Sequence, residues 1–207
     1  MKREYSAFLA ATGPGVQYAA VPDQILEKYR GILPDSLLEI WQSQGWCSYG
    51  GGKFWTVNPD EYGWLVDGWI KPLNGLPEDR YFIIGRSAFG EFFCARENGP
   101  RVFTICCPIA AVMARSSALV PGNMEGAIDM FFGGMRLEDF DFDDDDGNPM
   151  FEAARDVLGL LGPDEVYGFV PVLPLGGEAN VTNLQKLKLG VHIDIVKQLA
   201  GVQLMTD

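Results

Sequence analysis

The chain has 207 residues, 47% of them apolar, and carries 16 Lys and Arg against 28 Asp and Glu, a formal net charge of −12. This length suits one large domain or two small ones, and the 13 Phe, 7 Tyr and 5 Trp can fill a core, which argues against global disorder. Because phosphate contacts need Lys and Arg, the acidity argues against direct nucleic-acid binding and leaves a small polar ligand, a metal cation or a basic protein as the partner.

The first seventy residues predict helices and one hairpin. Apolar spacing predicts short helices over 3–11, 22–29 and 34–45, with a glycine near the end of each. Aromatic residues around a glycine run predict a hairpin over 46–57. Asn58 as the cap and Pro59 at the first helical position then predict a helix, whose apolar stripe runs as far as Ile70.

Strands are predicted after residue 80. Three apolar runs, 81–84, 91–95 and 101–106, are separated by turn residues, and Asn98-Gly99 between the last two indicates a hairpin. Helices followed by antiparallel strands define an α+β fold, in which the N-terminal helices pack on an antiparallel sheet.

A looser stretch over 116–126 suggests a junction, so we expect two domains, residues 1–115 and 116–207. In the second, the patterns predict helices over 124–132 and 149–161 and a strand over 166–173, which Pro171 confines to a sheet edge. Residues 181–200 fit either a strand or a helix. We therefore expect a smaller α+β domain at the C-terminal end.

Neither a membrane span nor a secretory segment is predicted. The longest apolar stretch, 102–114, has 13 residues, whereas a span needs about 20. The N-terminal residues are too short and too interrupted for a signal peptide, so a cytoplasmic protein is expected. Its four cysteines, Cys47, Cys94, Cys106 and Cys107, form no CxxC pair, and we expect reduced, buried thiols.

Few residues suggest catalysis. His192 is the single histidine, so any catalytic serine or cysteine that relies on an imidazole base must use it. It alternates with apolar neighbours over 189–196, which favours a structural or polar-face residue. The run Gly50–Lys53 resembles a phosphate-binding loop, but Phe54 stands where Ser or Thr should hold magnesium, and a tight turn is the better interpretation. We expect no catalytic residue and no cofactor.

The densest acidic segment is Glu138–Asp146. It has carboxylates at positions 1, 3 and 5 of a calcium loop that starts at Asp141, with Glu152 at position 12, but Asp146 replaces the required glycine. Three interpretations stay open: a solvated loop in which Asn148 and Pro149 start the next helix, a protein-binding patch, or a metal site. The candidate partner-binding residues are Glu138, Asp139, Asp141, Asp143, Asp144, Asp145 and Asp146.

Two groups of motifs resemble known families. Leu33–Gly50, Phe54–Tyr62 and Gly85-Arg-Ser-Ala-Phe-Gly90 resemble the bacterial GAD-like domain. Glu165–Gly177, followed by Val191–Val196, resembles the C-terminal domain of immunity proteins that are paired with type VI secretion DNase effectors. Together the two resemblances cover nearly the whole chain.

The resemblance implies an immunity protein, which binds a cognate toxin and blocks its active site or holds it in an inactive shape. A DNase presents a positive surface, so we expect the acidic segment to meet it and to speed association by electrostatic steering. The alternative from another class is a metal-dependent hydrolase that holds magnesium or calcium with Asp141–Asp146. A scaffold for several basic proteins is a third possibility, and the oligomeric state is left open.

Overall fold

The computed structural model describes residues 3–207. As predicted, the fold is α+β, with eight α-helical segments over these residues and two sheets. The helices are α1 (Arg3–Thr12), α2 (Asp23–Tyr29), α3 (Asp35–Gln44), α4 (Gly63–Leu65), α5 (Ser116–Leu119), α6 (Met124–Gly134), α7 (Phe151–Leu158) and α8 (Leu189–Ala200). The strands are β1 (Val16–Ala19), β2 (Trp46–Tyr49), β3 (Phe54–Thr56), β4 (Tyr81–Ser87), β5 (Glu91–Arg96), β6 (Phe103–Cys106), β7 (Ala111–Met113), β8 (Glu165–Phe169), β9 (Leu184–Lys188) and β10 (Gln203–Met205).

The larger sheet has eight strands in the order β1-β2-β3-β4-β5-β6-β7-β10. Strands β1 to β7 follow one another as antiparallel neighbours, whereas β10 joins β7 in parallel. The predicted antiparallel sheet is therefore mixed, because a strand from the far end of the chain is added at its edge. The smaller sheet is the antiparallel pair of β8 and β9.

Both faces of the large sheet are buried, and alternating residues enter two different cores. On β4, Phe82 and Ile84 belong to the core shared with α1, α2, α3 and α6, which we call the helix-side core. Ile83 belongs to the other core, shared with residues 62–70 and with α7, α8, β8 and β9, which we call the C-terminal-side core. The sheet is thus the middle layer between two covering layers.

The helix predicted after Asn58 is not a regular α-helix. Asn58 does cap it, since its Oδ1 accepts the N–H of Asp60 at 3.1 Å. The segment then runs as a 3-10 turn (Pro59–Tyr62), α4 and a π turn (Val66–Ile70). The prediction was wrong because Gly63 and Gly68 lower helix propensity within the stripe.

Three of the strands had not been predicted. β1, β7 and β10 have only three or four residues each, too few to show an alternating pattern. The ambiguous residues 181–200 contain both structures, β9 and then α8. The strand predicted over 166–173 ends at Phe169, two residues before Pro171.

His192 lies on the buried face of α8, which packs against β8. Its side chain is covered, and burial lowers the pKa of its imidazole. A Cβ added to Gly168 on β8 would lie 2.6 Å from Cδ2 of His192, so only glycine leaves room for the ring. The structural interpretation is confirmed, whereas the polar-face alternative is wrong.

The four cysteines are free and buried, as predicted. Between residues 3 and 207, no helix combines the length and the apolar character that crossing a membrane requires.

Candidate interaction surface

The acidic segment (Glu138–Asp146) is anchored by two phenylalanines that enter different cores. Phe140 is buried in the helix-side core, and its ring stacks on Phe54 with the centroids 4.5 Å apart. Phe142 packs on the C-terminal-side core, with its centroid 5.9 Å from Phe89 and 5.4 Å from Phe169. Within three residues the chain therefore passes from one core to the other, which fixes the segment at both sides.

Between these rings, Asp141 points inward. Its side chain is 5% exposed, and its Oδ2 lies 2.7 Å from Nζ of Lys53, which follows the β2–β3 turn. The Lys53 ammonium also lies 5.0 Å from the ring centroid of Phe151. Because this ion pair is buried, salt and solvent screen it little. Through it Asp141 links the acidic segment to the large sheet.

The side chain of Asp141 also caps the start of α7. Its Oδ1 accepts the N–H of Phe151 at 2.8 Å and the N–H of Phe142 at 3.0 Å. The helix starts at Phe151, so the expectation that Asn148 and Pro149 start it was wrong. The cap comes from a side chain ten residues earlier, which local spacing does not reveal.

Asp144 and Asp145 shape the turn that follows. Oδ1 of Asp144 accepts the backbone N–H of Asn148 at 2.7 Å and of Asp146 at 3.0 Å. These hydrogen bonds, led by those from Asn148, hold the pKa of Asp144 below its usual value. Asp145 donates its N–H to the carbonyl of Ala179 at 2.9 Å, and its Oδ2 accepts the N–H of Ala179 at 3.1 Å.

The remaining carboxylates of the acidic segment face solvent. Glu138 has a side chain that is 69% exposed and, with Asp139, lies beside Arg136. Asp143 and Asp146 are exposed on the turn. The structure thus separates the predicted residues into an inward anchor, two turn-forming residues that remain at the surface, and four outward carboxylates.

The acidic segment does not gather its oxygens around one point. Within residues 3–207, no group of three or more His, Cys, Asp or Glu side chains is placed to hold a metal ion. The physical reason is that Asp141 is turned toward Lys53, while Asp144 and Asp145 bind backbone N–H groups. The geometry gives no support to the metal-dependent hydrolase.

Arg86, in the Gly85–Gly90 motif, is a structural residue whose role the sequence did not reveal. It is fully buried, and its guanidinium lies 4.5 Å from the ring centroid of Trp55. One terminal nitrogen donates to the carbonyl of Pro163 at 3.0 Å. Burial lowers its pKa. Arg86 therefore ties β4 to the residues just before β8.

Glu91 lies close to the anchored end of the acidic segment. Burial raises the pKa of its carboxyl to about 7, and the charge of Asp141 adds to the rise, while hydrogen bonds with Ser87 and Cys106 oppose it. The Cys106 thiol is 3.8 Å from Oε1 of Glu91. Burial also raises the pKa of that thiol, so it is a poor nucleophile.

The site is thus an acidic segment that two cores and a covered ion pair hold on an α+β scaffold. Residues 126–200 match the family model of the T6SS immunity protein Tdi1, C-terminal. Residues 3–109, more than half of the chain, match the GAD-like domain. The chain therefore belongs to the GAD-like domain family and carries the Tdi1-type C-terminal domain, as the motifs had indicated.

A solved structure supports the fold. The crystal structure of Atu4351 from Agrobacterium tumefaciens superposes with a TM-score of 0.86 over 98% of this chain and 92% of that one. The two sequences are 22% identical, so this likeness concerns the fold alone. No curated protein matches the chain. The Tdi1 family match supports an immunity-protein role in type VI secretion, which implies a cognate toxin as partner and favours a binding protein over an enzyme.

Proposed function

We propose that this protein neutralises a nuclease toxin in the cytoplasm by laying its acidic segment on the toxin's basic substrate-binding surface. The observation that carries the proposal is the fixed presentation of Glu138, Asp139, Asp143 and Asp146 by a segment that two cores and a covered ion pair hold in place. A pre-ordered segment loses little conformational entropy on binding. In this proposal Asp141 positions the segment, and Asp144 and Asp145 shape its turn.

The charge balance supports a basic target. The chain has a formal net charge of −12, and a surface that binds DNA must be positive. Opposite charges raise the rate of encounter, and salt screens this effect. Inhibitor complexes bury about 1,600 Å² and can be very tight without a cofactor. A division of the chain near residues 115 and 116 remains a prediction.

The test measures association with the toxin encoded by a neighbouring gene, purified as a catalytically inactive variant. One triple variant carries Glu138→Gln, Asp143→Asn and Asp146→Asn. A matched control carries Asp23→Asn, Asp67→Asn and Glu78→Gln, which removes the same charge at exposed positions elsewhere. Stopped-flow association rates are measured at several salt concentrations.

We expect the first triple variant to associate about tenfold more slowly at low salt and to lose most of its salt dependence, while the control changes far less. Equal rates for the two triple variants would show that total charge, not this segment, governs association. A toxin that does not bind the wild-type chain would refute the proposed function itself.

A further inference from the structure

A second surface lies on the helix-side face of the large sheet, beyond the edge of α6. Phe131 of α6 covers Phe93 on β5, with ring centroids 5.2 Å apart. The row of paired residues that includes Phe93 continues across the next strands. It consists of Thr104 on β6, Met113 on β7 and Met205 on β10. They line an open groove of about 630 Å³ between the sheet and α6, a size typical of binding clefts.

The groove is apolar and adaptable. Met113, Met205 and Met130 of α6 are 44%, 50% and 50% exposed. Methionine has a flexible, polarizable side chain that moulds to different partners and is common at protein-binding surfaces. Three such residues around one groove therefore indicate a surface that receives another apolar group rather than a well-filled core.

The charge at the rim is opposite to that of the protein as a whole. Arg101 and Arg115 are both exposed and line the groove. Within the part of the chain that the structure describes, neither forms an ion pair, and Arg101 reaches only Sδ of Met130, at 3.8 Å. Among the described residues that line the groove, Asp207 has the one acidic side chain. Its Oδ1 accepts the N–H of Ser116 at 2.8 Å, and this bond lowers its pKa, an effect to which the charge of Arg115 adds, so Asp207 partly balances Arg115.

We infer that the groove binds an apolar segment of the toxin that carries Asp or Glu beside its apolar side chains. The inference rests on the proposed function and adds a second contact to it. Apolar side chains would pack on the three methionines, and a carboxylate would meet Arg101 or Arg115. The acidic segment and the groove have opposite charges, so they bind different parts of the toxin.

The test compares substitutions at Met130, which is half exposed and tolerates a charge without loss of the core. Met130→Glu adds a carboxylate that repels the occupant, whereas Met130→Lys adds a cation of the rim's own sign. Val191→Glu, at an exposed apolar position on α8, is the matched control. Dissociation constants with the inactive toxin are measured by calorimetry, and circular dichroism shows that each variant is folded.

We expect Met130→Glu to weaken binding by about tenfold or more, Met130→Lys to weaken it less, and Val191→Glu to leave it within about twofold. Arg101→Gln should weaken binding and reduce its salt dependence. A benzophenone amino acid at position 130 should cross-link to a toxin peptide that contains both apolar and acidic residues.

Several results would overturn the inference. If the wild-type chain binds the toxin and Met130→Glu binds equally well, the groove is not a contact, and the proposed function stands. Equal weakening by glutamate and lysine would refute the acidic occupant. A dimer of this chain that Met130→Glu dissociates would assign the groove to a second copy instead. If the wild-type chain does not bind the toxin, both the proposed function and the inference are refuted.

Discussion

The two cores hold the large sheet in different ways. The helix-side core is built from ring contacts, such as those of Phe8 with Tyr49 and with Phe132, at centroid distances of 4.8 and 5.2 Å. One hydrogen bond on the helix side, between the hydroxyls of Tyr5 and Tyr49 at 3.2 Å, also joins a helix to the sheet. The C-terminal-side core instead uses backbone carbonyls, since Arg86 donates to that of Pro163 and the N–H of Tyr167 donates to that of Ala88. Ring packing supplies energy without strict direction, whereas these polar contacts fix the position of one layer on the other.

The acidic segment uses both kinds of attachment. Phe140 supplies apolar burial on the helix side, Phe142 supplies a smaller amount on the other side, and Asp141 supplies the directed contact to Lys53. We therefore expect Phe140 to make the largest contribution to stability and the ion pair to fix the orientation of the segment. The following predictions test this difference, from the largest expected effect to the smallest.

Phe140→Ala should lower the free energy of unfolding by about 3–5 kcal/mol, because it empties a fully buried ring site. Phe142→Ala should cost about half as much, since Phe142 is only partly buried. Urea unfolding followed by tryptophan fluorescence measures both values. A larger loss for Phe142→Ala would show that the C-terminal-side core is the main anchor.

Lys53→Met should destabilise the protein by about 3 kcal/mol, because it leaves the covered Asp141 carboxylate without its cation. Adding Asp141→Asn should recover more than half of this loss, since the amide oxygen still accepts the N–H groups of Phe142 and Phe151. The double-mutant cycle is measured by urea unfolding. No recovery in the double variant would mean that Lys53 acts through packing on Phe151 alone.

Gly168→Ala should lower the free energy of unfolding by about 1–3 kcal/mol, because the added methyl group overlaps the imidazole of His192. His192→Ala in the same chain should relieve part of that overlap. Gly190→Ala on α8 is the control: nothing lies within 4 Å of its added Cβ, so it should be neutral or stabilising. Thermal melts compare these three variants with the wild type, and an equal loss of stability for Gly168→Ala and Gly190→Ala would contradict the overlap.

Glu91 should make stability fall as the pH rises. Its pKa rises from 4.5 to about 7 on folding, so between these values the folded protein retains a proton that the unfolded chain has lost. The favourable contribution is complete below pH 4.5 and is lost as the pH rises through about 7. Because the Glu91 side chain is partly exposed, we expect the free energy of unfolding to fall by about 1–2 kcal/mol over this pH range.

Glu91→Gln should remove this contribution, and the difference between the wild-type and Glu91→Gln profiles separates it from that of His192, whose lowered pKa makes stability rise with pH. Asp141→Asn should move the transition to lower pH, because the charge of Asp141 contributes to the raised pKa of Glu91. Urea unfolding between pH 4 and pH 8.5 measures both effects. A wild-type stability that does not fall relative to that of Glu91→Gln as the pH rises over this range would contradict the assignment.

Sequence patterns located most of the longer elements because their signals are local. The helices α2 and α3 and the strands β4, β5 and β6 lie where apolar spacing and turn residues had placed them. The motifs also led to the family, since caps, turns and aromatic positions are written in the sequence itself. The short strands β1, β7 and β10 were missed because only their pairing with distant neighbours makes them strands.

For the acidic segment, the sequence by itself determined the concentration of charge, the absence of a proper calcium-loop glycine, and the alternation of phenylalanine with aspartate. It did not determine which carboxylates face outward. Tertiary structure decided this, because Lys53, Phe54 and Phe169 lie far along the chain and meet Asp141, Phe140 and Phe142 only in the folded molecule. Likewise, the methionine groove exists only where β6, β7 and β10 come together beside α6, since burial depends on neighbours in space rather than in sequence.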